Sequence, residues 1–391
     1  MLPWLPLTRI RKRWAWPRSF STRSPERVEV RCGSAGHVTI DLFNSPEKSH
    51  EAALLLHLPA FPTVNNSPSP LPKFLEHLPV ASINYRWRHG HQDLDPAIPP
   101  TSLCWPTPVH DASFAYAWLV ENLLPPGNAR RDIYVYGSHL GASLATSLAL
   151  TESHSHARLA VRGLIAYNGI FNWTMFLRDH PINKPSKKAK DTGLEWQLQE
   201  ASHLGRLYDS LPSLFDKPVA MFDPFASPSL FFHSPGLLVP SSFYMSMKDA
   251  AFVDVLTGDG QDSIAVPLKA PRKSHLMFPP RISTLKIPQA LLLHDAALPP
   301  QTPLKTKAGK PRKPRRWGHT FAAQAEELAG LMKRSVSVVE MRERVKWDED
   351  LQESEVVEQR VRVADVGPET EHTELNEVGQ AIALDWLDER I

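Results

Sequence analysis

Apolar and polar positions alternate in two different rhythms along this chain. Residues Val28–Arg31 and His37–Phe43 alternate with period two, with Gly33 and Gly36 between them, and the spacing predicts a hairpin. Two short apolar runs follow, Ala52–Leu58 and Val80–Trp87, separated by a Pro- and Asn-rich loop over Pro59–Pro72. Runs of this length bounded by turn residues predict buried strands. In Val109–Leu124 the rhythm changes. Ala112, Ala115, Tyr116, Leu119 and Leu123 recur at helical spacing, and Pro125-Pro126-Gly127 ends the run. Asp132–Tyr136 predicts a strand, Ala142–Leu150 a small-residue helix and Arg162–Asn168 another strand. Strand–helix alternation with β-branched cores predicts an α/β chain, a mostly parallel sheet with helices on both faces and antiparallel strands at the leading edge.

The alternation stops over residues 171–285. This stretch holds basic residues Lys184–Lys190, a predicted helix over Leu194–Leu211 and Pro/Phe-rich turns such as Asp223–Pro228. It divides the chain into a first core segment (26–170), an insert placed as a cap (171–285) and a second core segment (286–391). The second segment resumes with a strand over Pro288–Asp295 and a helix over Thr320–Arg334. Two β-rich runs are predicted next, Ser335–Trp347 and Val356–Val366, joined by the acidic turn Asp348–Glu355, and a helix over Glu374–Glu389 closes the chain.

Composition narrows the function classes. With 42% hydrophobic and 22% charged residues the chain is globular in character, and 44 Lys+Arg against 42 Asp+Glu offer no global attraction for nucleic acid. Two cysteines, Cys32 and Cys104, are too few for a disulfide framework. No apolar run reaches the length of a membrane span. No motif calls for a cofactor, and His154 and His156 lack the second pair of ligands a metal site needs.

Charge is uneven locally. Residues 1–25 carry Arg9, Arg11, Lys12, Arg13, Arg18 and Arg23 and no acid, the composition of a mitochondrial transit peptide, so a mitochondrial location is expected, with the cytoplasm as alternative. Residues 299–317 hold Lys305, Lys307, Lys310, Arg312, Lys313, Arg315 and Arg316 without an acid. Such a loop offers weak contact with an anionic surface, or is simply a solvated insertion.

The chemistry centres on Gly137-Ser138-His139-Leu140-Gly141, which follows a strand and opens a helix. That is the context of the nucleophile elbow G-x-S-x-G, where two glycines permit a turn too tight for a Cβ. Here the apex residue is histidine. With this junction, Ser82-Ile-Asn-Tyr-Arg86, Pro106–Asp111 and Leu291–Pro299, the chain resembles the α/β-hydrolase fold from about Val28 onward, and within it the esterase/lipase-like branch related to hormone-sensitive lipase.

The resemblance implies a carboxylic-ester hydrolase with a triad at His139, Asp295 and His372, and an oxyanion site drawn from His57, Leu58 and the backbone of Leu140. The implied parts are altered. His139 stands for the serine, and His57-Leu58-Pro59 stands for His-Gly-Gly, with no N–H at Pro59. The acid falls at Asp295 or Ala297. Two readings remain: a lapsed hydrolase acting through a small apolar or ester-like ligand or a partner, and an active hydrolase with altered chemistry at His139.

Overall fold

The computed structural model describes residues 25–44, 52–62, 68–88, 103–177, 202–238, 271–296, 320–342 and 352–391, with a few further positions between 180 and 252. The N-terminal basic segment (bar Pro25), the basic loop with Lys305, Lys307, Arg315 and Arg316, and the first part of the expected helix 194–211 lie outside them.

Eight strands form one sheet among the described residues: β1 (Glu26–Arg31), β2 (His37–Phe43), β3 (Leu54–Leu58), β4 (Val80–Asn84), β5 (Arg131–Ser138), β6 (Leu159–Tyr167), β7 (Gln289–Ala296) and β8 (Val361–Pro368). Their spatial order is β1-β2-β4-β3-β5-β6-β7-β8. β2 runs antiparallel to both neighbours, and every pairing from β4 to β8 is parallel. The helices are α1 (Thr107–Asn122), α2 (Leu140–Thr151), α3 (His203–Asp209), the single turn α4 (Leu211–Leu214), α5 (Phe321–Ser335), α6 (Glu353–Arg360) and α7 (Glu377–Asp388).

Alternate side chains send each central strand into two cores. Leu54, Leu56, Ile133 and Val135 pack with Ala115 and Leu119 of α1, Leu144 of α2 and Leu328 of α5. Leu55, Tyr134 and Tyr136 face the other way and pack with Leu75 and with Ala383 and Trp386 of α7. A period-two strand buried on both faces needs apolar residues at consecutive positions, which is why β3 reads LLLHL.

Between β6 and β7 the described residues add no strand to the sheet. They form α3, α4 and short 3-10 turns, held to the core by the Trp105 N–H to Leu214 O bond (3.0 Å) and the Ser147 hydroxyl to Phe225 O bond (2.7 Å).

The region after α5 departs from expectation. The run from Ser335, read as a strand, instead continues α5 as a π-helix over Val336–Met341. Val336 and Met341 are buried, so a helical face packs even though the valines favour β structure. The second run is split. Its start belongs to α6, whose first turn holds Glu353 and Glu355 and whose last holds Arg360, charges that complement the helix dipole. Only from Val361, paired with Ala290, does it become β8.

Candidate functional site

The junction between β5 and α2 is built by sterics. A Cβ on Gly137 would collide with the Gly141 carbonyl, and one on Gly141 would collide with the carbonyls of Leu58 and Pro59. Between them His139 takes φ 50° and ψ −113°. A non-glycine residue held there costs on the order of 1–3 kcal/mol, which its surroundings must supply. The His139 N–H donates to Tyr167 O (2.9 Å), and the Leu140 N–H donates to Ala60 O (3.2 Å). Strand, strained apex and helix thus stand as an elbow at the C-terminal edge of a sheet in which β2 alone is antiparallel to β4. The chain has the α/β-hydrolase fold.

Within that fold the apex side chain is enclosed. His139 is fully buried among the rings of Phe61, Tyr167, His203 and Phe321, at centroid distances of 5.6, 5.7, 5.0 and 5.8 Å. Its Nε2 lies 3.1 Å from His203 Nδ1, so one imidazole donates and the other accepts. His203 opens α3, in the insert. Its backbone N–H donates to Glu369 Oε1, and the same carboxylate oxygen lies 3.6 Å from its Nδ1. His203 Nε2 is 3.4 Å from Glu371 O. His139, His203 and Glu369 therefore form a hydrogen-bonded chain from the elbow to the loop after β8.

Asp295, at the end of β7, is buried with both oxygens occupied. Oδ1 accepts from the Tyr167 hydroxyl (2.8 Å) and Oδ2 from the Asn168 amide (2.7 Å), while the Asp295 N–H donates to Asn168 Oδ1 (3.0 Å). Burial, and then the Asp295 carboxylate, push the Tyr167 phenol far above its ordinary range. Ala297 lies outside the described residues. His372 has an exposed side chain, and its carbonyl accepts from the Thr370 hydroxyl (3.0 Å). The histidine that meets His139 is His203.

The expected oxyanion positions are apolar or differently engaged. Leu58 is buried in the core, and the Pro59 carbonyl accepts from the Tyr85 hydroxyl (2.9 Å). His57 faces the opposite core. Its Nδ1 bonds the Ser82 hydroxyl (2.9 Å) and its ring stacks on Tyr136. Burial pushes this imidazole down to about 3, so it is neutral at ordinary pH. Ser143 donates to Ile170 O (2.6 Å) and is packed in α2.

The residues that carried the resemblance elsewhere are structural in this chain. Asn84 donates to Asp41 (2.7 Å), and Arg86 grips Asp111 with its side chain (2.6 and 2.9 Å) and its backbone N–H (2.8 Å). Sequence reading did not find His203 as part of the site, because nothing in its local pattern marks it. Glu369 was visible only as the first acid of the stretch Glu369–Glu374.

No protein-family model matches the chain, and no curated protein matches it. Solved structures that match the chain include esterases and a lipase. A carboxyl esterase of Tuber melanosporum is 12% identical, with 95% of this chain and 88% of that chain covered at a TM-score of 0.45. An esterase of Pyrobaculum calidifontis is 13% identical, with 93% and 83% covered at 0.42. A hormone-sensitive lipase from a metagenome library is 13% identical, with 96% and 89% covered at 0.42.

Proposed function

We propose that this α/β-hydrolase-fold chain does not hydrolyse esters and acts instead by binding a small apolar or ester-like ligand or a partner. The observation that carries this reading is the filled elbow. Ester hydrolysis at such a turn needs an oxygen nucleophile at the apex and a free N–H after it to hold the oxyanion. Here the apex is an imidazole sealed in aromatic rings and bonded to His203, and the Leu140 N–H is spent on Ala60 O. Losing a single oxyanion donor typically costs about a hundredfold to a thousandfold in rate, and defects in parts that act together do not simply add. In this reading His139, His203 and Glu369 fasten the insert to the core, with Asp295 held by Tyr167 and Asn168.

The test is hydrolysis of p-nitrophenyl acetate and butyrate by the purified chain and by its His139→Ala and His139→Ser variants. All three are expected to match a no-enzyme control. His139→Ser restores a hydroxyl but leaves Leu140 N–H on Ala60. Rapid hydrolysis by the unmodified chain, abolished by His139→Ala, would instead make His139 the reacting group and overturn the proposal.

A further inference from the structure

Helix α5 begins at the elbow and ends elsewhere. Phe321 packs on His139, and Arg334 lies thirteen residues further along the helix, which places it about 20 Å away at 1.5 Å per residue. There, where the helix widens into its π-helical end, a half-open cavity of about 170 Å³ is present. Phe232, Phe278, Leu331 and Val339 supply apolar wall, and Val338, Leu276 and Met277 are large apolar residues exposed at the same place. Apolar side chains exposed together around a concavity are a feature of binding sites. A cavity of roughly this volume, about 150 Å³, accommodates a benzene-sized body.

The cavity also carries one positive charge, that of Arg334. Arg334 and His275 both line it. Desolvation, and then Arg334, His233 and Lys273, hold the His275 imidazole below the usual histidine range, so these bases share one neighbourhood. The acid beside them is already engaged. Glu327 lies 2.6 Å from Lys273 Nζ and 3.5 Å from His233 Nε2. Burial acts to raise Glu327, but His233 and Lys273 outweigh it and hold its carboxyl at about 2. Among the described residues no carboxylate forms an ion pair with Arg334.

From this juxtaposition we infer a ligand site at the far end of α5 for a small carboxylate with a compact apolar body, its ring or short chain among Phe232, Phe278, Leu331 and Val338 and its charge on Arg334. A planar guanidinium pairs with a carboxylate through two parallel hydrogen bonds, and the apolar walls favour an anion that carries hydrocarbon over a bare one. The site is separate from the elbow, and it stands or falls independently of whether the chain hydrolyses esters.

Calorimetric titration of the full chain with benzoate tests it, with benzamide and inorganic phosphate as comparisons. Benzoate is expected to bind saturably at a single site. Benzamide, of the same shape without the charge, and phosphate, with charge and no hydrocarbon, are each expected to bind at least about tenfold more weakly. Arg334→Met should weaken benzoate at least about tenfold and leave benzamide unchanged. Val338→Trp should fill the cavity and abolish both. Should that variant fail to fold, Arg334→Met decides, since its side chain is exposed. Absence of saturable benzoate binding, phosphate or benzamide binding as tightly as benzoate, or unaltered benzoate affinity in Arg334→Met would overturn the inference.

Discussion

The two ends of helix α5 meet opposite surroundings. At its start Phe321 helps to seal a histidine inside a ring of aromatic side chains, and each polar group named there has a partner in the chain itself. At its end Arg334, His275 and exposed apolar residues surround a cavity with no partner acid for the arginine among the described residues. The first end has a strained strand-to-helix turn and the packing of a core. The second has no such turn and an open surface of mixed apolar and charged residues. An elbow-like backbone and an open, unfilled surface thus occur at different places in one fold. What decides binding is whether polar and apolar groups are already satisfied within the chain.

The largest effect should come from breaking the elbow's backbone. Gly141→Val places a side chain against the carbonyls of Leu58 and Pro59, which are rigid backbone, and is expected to cost more than about 4 kcal/mol. Loss of soluble, cooperatively unfolding protein checks this; a folded variant of near-normal midpoint would show that the turn can open. Next is His203→Ala, which removes the partner of a fully buried imidazole and should cost on the order of 2 kcal/mol in urea unfolding. An unchanged midpoint would mean that the histidine pair does not fasten the insert.

A pH effect should follow from His57, which pairs in register with Tyr136 just before the elbow. Its folded value of about 3 lies below its ordinary 6.5. The unfolded chain therefore takes up the proton first, and stability falls as pH drops from about 6.5 toward 3. The folding equilibrium should weaken by up to about tenfold per pH unit in that window. Urea midpoints compared with those of His57→Asn isolate this contribution, and parallel curves for the two proteins would refute it. The smallest effect belongs to the other end of α5. Arg334→Met should change the unfolding midpoint by less than about 0.5 kcal/mol while removing carboxylate binding. A large loss of stability there would mean that the arginine is a structural residue and would erase the contrast between the two ends.

Much of the architecture was legible in the residue pattern. Period-two runs at 28–43, the apolar runs at 52–58 and 132–136, and the glycine pair at Gly137 and Gly141 are local signals, because strand faces and tight turns are set by neighbours in sequence. The same logic failed after Ser335. There Val336, Val338 and Val339 favour a strand by composition, but burial of one helical face against the core outweighs a preference worth at most about 1 kcal/mol. The partner of His139 was not legible either. His203 lies 64 positions away with no motif around it, and only the packing of the insert brings the two rings together.

The sequence by itself determined the strand–helix alternation as far as α5, the strained turn at His139 and the absence of both a serine at its apex and an N–H at Pro59, since each of these is set by residues and their immediate neighbours. Tertiary structure alone decided that the Leu140 N–H would go to Ala60, that Asp295 would hold Tyr167 and Asn168, and that His139 would face His203 while His372 faced solvent. It also decided that Arg334 and His275 would meet beside an apolar cavity. Those outcomes depend on which distant groups approach within hydrogen-bond or ion-pair range, and separation along the chain carries no information about that distance.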